Sequence, residues 1–258
     1  MTIINVTDHV EHPQDLKPVL QLEQLAHVTG DQLIDTRFTR SLHPGEESYI
    51  YFKTPALQSA IRLAAHIKER HNTKVIAIGP HASRFPQSLM FDNSPFDAVH
   101  PGTTDSMSDI IHATGNGAID SLPIITDYSY PYKSTYPTRL ARPRYGYLFT
   151  SYGCDHNCTF CTPLCVKETA AETFRPHSHE YILAALQKNI AAGKNIIHFL
   201  DDNFTQDRTR VLTLCKDIQK RDLRFRWIAQ GRVDEIDETM LSAMKDAGCE
   251  CLKLGVES

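Results

Sequence analysis

The chain has 258 residues, 41% of them apolar, with a formal net charge of −4. That is enough for one large domain or two ordinary ones with proper cores, and it excludes bulk attraction to nucleic acid or acidic membranes, leaving only a local basic patch as a route to either. No run of about 18 apolar residues occurs, so no transmembrane helix is expected.

Ile3 to Val6 reads as a first strand. Leu16, Val19, Leu20, Leu22, Leu25 and Val28 then recur at helical spacing up to Gly30, which can serve as a C-terminal cap. Gln32 to Asp35 and Ser48 to Phe52 are short strands. Leu57, Ala60, Ile61, Ala64, Ala65 and Ile67 mark an amphipathic helix ending near His71 and Asn72. Lys74 to Gly79 is a β-branched run closed by glycine, the pattern of a central parallel strand covered on both faces. Phe96 to Val99, before Gly102, reads as the last strand of this half. Alternating strands and helices predict a doubly wound, Rossmann-like parallel sheet over residues 1–125, with ligands at the carboxyl ends of its strands.

Residues 126–146 form a linker punctuated by Pro131, Pro137 and Pro143. Tyr128, Tyr130, Tyr132, Tyr136 and Tyr145 interleave there with Lys133, Arg139, Arg142 and Arg144. Aromatics between basic residues suit single-stranded nucleic acid. With neither a binding fold nor a basic excess in support, an ordered connector is the expectation and nucleic acid is not.

Tyr147 to Thr150 reads as a strand delivering a loop that holds Cys154, Cys158 and Cys161, three of the seven cysteines within eight residues. Thiols at C-x3-C-x2-C spacing call for a metal, a cluster or a disulfide. Met1 to His9 shows no basic segment, apolar core or cleavage site, so a cytoplasmic, reducing location is expected and a disulfide is not. Zinc prefers two separated ligand pairs. His156, His177, His179 or Cys165 could complete a zinc site, but none stands at a usual paired spacing. Three thiolates on a [4Fe-4S] cluster would instead leave one iron open for another ligand.

After the loop, Leu183, Leu186 and Ile190 space one helix, stopped by Gly193. Asn195 to Leu200 is a strand running into Asp201, Asp202 and Asn203. A helix capped by Asp207 follows, with Val211, Leu214, Cys215 and Ile218 inward. Phe225 to Ala229 is a third strand leading to Arg232, Glu238 to Ala247 a third helix, and Cys251 to Gly255 a fourth strand. Cys215, Cys249 and Cys251 are expected as small packing residues; Cys165 has no assignable role. In parallel barrels the reactive groups gather where strands end, and each strand here ends in polar or metal-binding residues.

The cysteine spacing, with Phe160 just before the last cysteine, resembles the radical S-adenosylmethionine (radical SAM) superfamily, and the strand–loop–helix order over residues 147–258 is similar to the first four strands of its partial barrel. The resemblance implies a [4Fe-4S] cluster on Cys154, Cys158 and Cys161 that reductively cleaves S-adenosylmethionine to a 5′-deoxyadenosyl radical. It implies S-adenosylmethionine contacts at Phe160, Asp201, Asp202, Asn203, Arg232 and Glu257. For the two aspartates the simpler reading is an acidic turn serving a helix N-terminus, and for Arg232 a pair with Asp234. The resemblance further implies a small-molecule substrate and a reducing partner such as a flavodoxin or ferredoxin. Either a further C-terminal segment or a partner chain would complete the barrel.

The first half resembles the cobalamin-binding domain found upstream of that core. Ala60 to Lys68, Val75 to Ala82 and Phe96 to Gly102 carry the likeness, and Thr54, Gly79 and His81 are the positions it places near the corrin. This implies cobalamin-dependent methyl transfer to an unactivated centre. Two other readings stay open: a radical SAM enzyme without cobalamin, performing a rearrangement or cyclisation, and a non-catalytic iron–sulfur-binding fragment or subunit.

Overall fold

A computed structural model describes residues 2–6, 20–30, 32–36, 43–100, 119–126, 145–156, 158, 161 and 174–255. These fall into two compact units, one running to Pro123 and the other comprising Ile124–Thr126 and the residues from Tyr145 on.

The first unit places β1 (Thr2–Val6), α1 (Leu20–Thr29), β2 (Gln32–Asp35), β3 (Glu47–Phe52), α2 (Leu57–His71), β4 (Lys74–Ile78), α3 (Pro80–Arg84) and β5 (Ala98–Val99) in chain order. The strands form one parallel sheet in the order β2-β1-β3-β4-β5. Because side chains alternate along a strand, the sheet has two apolar faces. Ile4, Ile50, Phe52, Val75 and Ala77 meet Ala60, Ala64 and Ile67 of α2, while Ile3, Tyr51, Ile76 and Ile78 meet Leu22 and Ala26 of α1. Alanines at i and i+4 let α2 lie close to the sheet, and each fully buried isoleucine contributes roughly 1.5–3 kcal/mol. Asn72, at φ 46°, ends α2 in the left-handed conformation.

The last strand begins later than the apolar run Phe96 to Val99 suggests. Asp97 Oδ2 accepts from the Val75 amide at 2.8 Å and its Oδ1 pairs with Lys68 Nζ at 2.5 Å, so a side chain takes the place of a ladder bond. Phe96 packs into the core instead.

The second unit contains β6 (Tyr145–Leu148), β7 (Ser151–Gly153), β8 (Phe174–Pro176), α4 (His179–Ala191), β9 (Ile196–Phe199), α5 (Arg208–Lys220), β10 (Arg226–Arg232), α6 (Glu238–Asp246) and β11 (Cys249–Gly255). Its parallel sheet runs β6-β9-β10-β11, so successive strand–helix units lie side by side. Each helix starts on a side-chain cap: Ser178 accepts from Tyr181 N, Asp207 from Arg210 N, and Asp237 from Met240 N. Trp227, Phe199 and Phe204 stack at the centre of the core, their ring centroids 5.1–5.4 Å apart.

Several sequence expectations are corrected. Thr150 lies beyond the first strand, because its amide donates to the Asp201 carboxylate and not to a neighbouring strand. The antiparallel pair β7–β8 was not foreseen, since three-residue strands far apart in the chain leave no periodic signal. Cys215 is fully buried and its thiol is pushed up to about 12 by desolvation, as a packing residue should be. Cys249 is half-buried, with its thiol pushed up to about 11. Cys251 is exposed and packs against nothing in the core. Among the described residues no helix is long and apolar enough to cross a membrane.

Candidate functional site

The loop that leaves β7 carries Cys154, Cys158 and Cys161, all partly exposed and none in a disulfide. The Cys161 amide donates to the Cys158 carbonyl at 3.0 Å, closing a turn between the second and third thiols. Phe160 and Glu257, both expected at the site, lie outside the described residues, as do Cys165, most of the linker and Pro101–Gly102.

Beneath the loop is a buried polar knot. Asp201 has no exposed surface, and its carboxylate accepts from the Thr150 amide at 2.7 Å, the Thr150 hydroxyl, and the Ser151 hydroxyl at 2.7 Å. Arg210, reaching in from α5, donates to Thr150 Oγ1 at 2.8 Å and to Ser151 Oγ and Asp201 Oδ2 at 3.4 Å each. Its guanidinium lies 5.7 Å from the Phe174 ring centroid and 5.6 Å from that of Phe204, so the charge is offset by the carboxylate and by ring faces. Asp201, expected to meet a ligand ammonium, is therefore spent on holding the start of the loop. Asp202, the next residue, is exposed.

Three links hold the loop itself. The Asp155 amide donates to Gln206 Oε1 at 3.0 Å, and Gln206 Nε2 returns to Asp155 Oδ2 at 3.1 Å. His156 Nε2 lies 2.5 Å from Glu235 Oε1; facing a carboxylate, that nitrogen carries the proton. Arg232 Nη1 lies 3.1 Å from Cys158 Sγ. The other edge of Arg232 grips Asp234 through Nε at 3.0 Å and Nη2 at 2.6 Å, which holds Asp234 below the ordinary carboxylate range and raises the guanidinium.

Glu235 was not expected in this role. Its carboxylate also accepts from Asn203 Nδ2 at 2.9 Å and from Thr205 Oγ1 at 2.6 Å. Asn203 is buried, and so it meets Glu235 and not solvent. Gly231 makes the packing possible: a β-carbon there would fall on the Thr205 side chain, with its methyl carbon 2.5 Å away. Gln206, Arg210 and Glu235 could have been found only as polar residues following strands or in the first turn of a helix, a signal shared with many solvated positions.

A soft donor set of three thiols, with a guanidinium 3.1 Å from the sulfur of one of them, fits an iron–sulfur cluster. Among the described residues no three Cys, His, Asp or Glu side chains converge on a single metal ion.

In the first unit, the structure brings Thr54 and His81 together. His81 Nδ1 lies 3.1 Å from Thr54 Oγ1 and Nε2 lies 3.1 Å from Ser88 Oγ. The ring is only 4% exposed and packs near Phe52 and Phe85; burial lowers its pKa from 6.5. Gly79, at φ 98°, is buried where a β-carbon would strike the Tyr51 ring at 2.7 Å. Gly79 and His81 thus serve internal packing, and Thr54 is the exposed member at the strand ends.

Residues 148–258 match the family model of the Radical SAM superfamily. Over 225 residues the chain is 27% identical to the uncharacterized methyltransferase PH0819 of Pyrococcus horikoshii, an alignment covering 76% of this chain and 48% of that protein. In fold it is similar to the radical S-adenosylmethionine methyltransferase TsrM of Kitasatospora setae, solved with cobalamin and a [4Fe-4S] cluster bound. The TM-score is 0.69 at 14% identity, covering 99% of this chain and 60% of that one. A second TsrM structure, with tryptophan substrate and the S-adenosylmethionine analogue aza-SAM, gives the same score. The chain spans about half the length of the curated relative.

Proposed function

We propose that the chain is a radical SAM methyltransferase, a reading supported by the match of residues 148–258 to the Radical SAM superfamily model. The observation that carries the reading is the C-x3-C-x2-C loop fastened at Asp155 to Gln206 after β9, at Cys158 to Arg232 at the end of β10, and at His156 to Glu235 just beyond it.

Cys154, Cys158 and Cys161 would hold a [4Fe-4S] cluster, which when bound supplies one-electron reduction of S-adenosylmethionine at its open iron. The protein's own work is positioning and charge. Thr150, Ser151, Asp201 and Arg210 fix the point from which the loop departs. Asp202, exposed beyond β9, supplies the acid for a substrate ammonium in place of the buried Asp201. Arg232 keeps N–H groups beyond those engaged by Asp234 and Cys158, and these can take the methionine carboxylate. Family resemblance assigns Phe160 to S-adenosylmethionine and Glu257 to its ribose. A reducing partner of the flavodoxin or ferredoxin type would supply the electron.

For cobalamin, support comes from the open parallel sheet of the first unit and from the likeness to TsrM, solved with that cofactor. Thr54, at the strand ends, is the residue of this set available to touch a corrin. The inward use of Gly79 and His81 favours a second reading, in which the enzyme works without cobalamin.

Anaerobic reconstitution with iron and sulfide, then dithionite and S-adenosylmethionine, tests the proposal. Conversion to 5′-deoxyadenosine or S-adenosylhomocysteine, abolished in Cys158→Ala, is expected. A reconstituted chain that leaves S-adenosylmethionine intact would refute the enzymatic reading. Hydroxocobalamin, followed by its visible spectrum on the isolated chain, separates the two forms of it.

A further inference from the structure

Glu235 sits in the short turn Val233–Glu235 that follows β10, and its side chain is only 14% exposed. One carboxylate there receives three donors from two places. Asn203 and Thr205 come from the segment after β9, both buried; His156 comes from the cysteine loop, 79 residues away in sequence.

Two of these contacts belong to the fold. Thr205 Oγ1 also stands 3.0 Å from Asn203 Oδ1 and accepts the Arg232 amide at 3.1 Å, so the strand ends already have links that do not involve Glu235. The third contact does nothing for the sheet. It reaches outward to a 35% exposed imidazole that lies between the first and second cysteines.

Holding a loop residue in place opposes its conformational entropy, and a loop carrying three ligands loses them together if it strays. The links at Asp155 and Cys158 come from a glutamine on an exposed contact and an arginine already committed to Asp234. The His156 link is the one anchored on a carboxylate whose own position is fixed by two buried side chains.

We propose that Glu235 is the positioning residue of the cluster loop, holding His156 so that the thiols on either side stay in ligating range. It touches neither cluster nor substrate. This rests on the cluster reading above and goes beyond it by assigning retention of the cluster to a carboxylate outside the cysteine motif.

The test uses the whole 258-residue chain, reconstituted with iron and sulfide and challenged with a chelator. Loss of cluster absorbance is followed over time, together with the line shape of the reduced cluster in electron paramagnetic resonance. Partners that orient metal ligands typically matter by about 10–100-fold in metal affinity, so Glu235→Ala should release the cluster roughly tenfold faster or more. Glu235→Gln, which keeps an acceptor oxygen, should fall between. His156→Phe, which has no donor, breaks the same link from the loop side while leaving Glu235, Asn203 and Thr205 paired, which guards against a variant that fails to fold. The double variant His156→Phe with Glu235→Ala should be no worse than Glu235→Ala.

Unchanged release in Glu235→Ala and in His156→Phe overturns the proposal, and so does release that only tracks a lower unfolding midpoint read from Trp227 fluorescence. Multiplying effects in the double variant would also overturn it, because the two residues would then act separately. A wild-type chain that takes up no iron and sulfide defeats the cluster reading itself, and this inference with it.

Discussion

Arg232 Nη1 stands 3.1 Å from Cys158 Sγ while the opposite edge of the same guanidinium is locked to Asp234. A long, flexible side chain is thereby pinned with a positive donor at a thiol sulfur. Hydrogen bonds to ligand sulfur stabilise a cluster's more negative, reduced state. Arg232→Ala is therefore expected to lower the midpoint potential of the reconstituted cluster, measured by redox titration of its paramagnetic signal. Lysine offers a point charge without the planar fork, so Arg232→Lys should recover only part of the shift. An unchanged midpoint in Arg232→Ala would mean that the contact does not survive cluster binding.

The pair Asp201 and Arg210 makes a different prediction, about stability. Both are buried, and removing either leaves the other charge without its partner. Asp201→Ala or Arg210→Ala should each cost about 3–5 kcal/mol. Trp227, the single tryptophan and wholly buried in the second unit, reports the loss in a urea titration. Replacing both with apolar residues of similar volume, Asp201→Leu with Arg210→Met, should cost less than either truncation.

Gly231→Ala probes the ground behind the cysteine loop. Its new methyl would collide with the buried Thr205, whose hydroxyl meets Glu235 and the Arg232 amide. Overpacking of this kind costs about 1–3 kcal/mol. The same urea titration should show it, and cluster release should accelerate because Glu235 loses a partner. Wild-type behaviour in both would show that Thr205 can move aside freely.

His81 supplies the pH dependence. Burial holds its pKa below 6.5, so the folded first unit keeps the ring neutral where the unfolded chain has begun to protonate it. The stability it contributes is complete above pH 6.5 and is lost as the pH falls through the folded value. Proton resonances of the His81 ring should titrate below 6.5. His81→Phe should flatten the acid side of the first unit's stability profile, followed by hydrogen exchange of the β3 and β4 amides.

Much of the scaffold was legible because its signals are local. The apolar period in Leu57 to His71 and the β-branched run in Lys74 to Ile78 are set by neighbours a few residues apart, and both elements form where the pattern puts them. Phe96 and Thr150 were misread for one reason. In each case an aspartate, Asp97 or Asp201, takes a backbone amide out of the ladder, and no periodicity encodes that. Cys251 was misread because a strand position says nothing about what covers it.

By itself the sequence determined the order of the parallel strands and longer helices and the three thiols on one loop, since both depend on spacing along the chain. Only the tertiary structure decided which polar groups face one another. Asp201 and Asp202 are the same residue type side by side, yet Asp201 turns inward to Thr150, Ser151 and Arg210 while Asp202 stands exposed in the bend beyond β9. Glu235 looked like one more acid in a turn until folding brought it to His156, a meeting set by how β10 lies beside β9 and by no feature of the residues around either one.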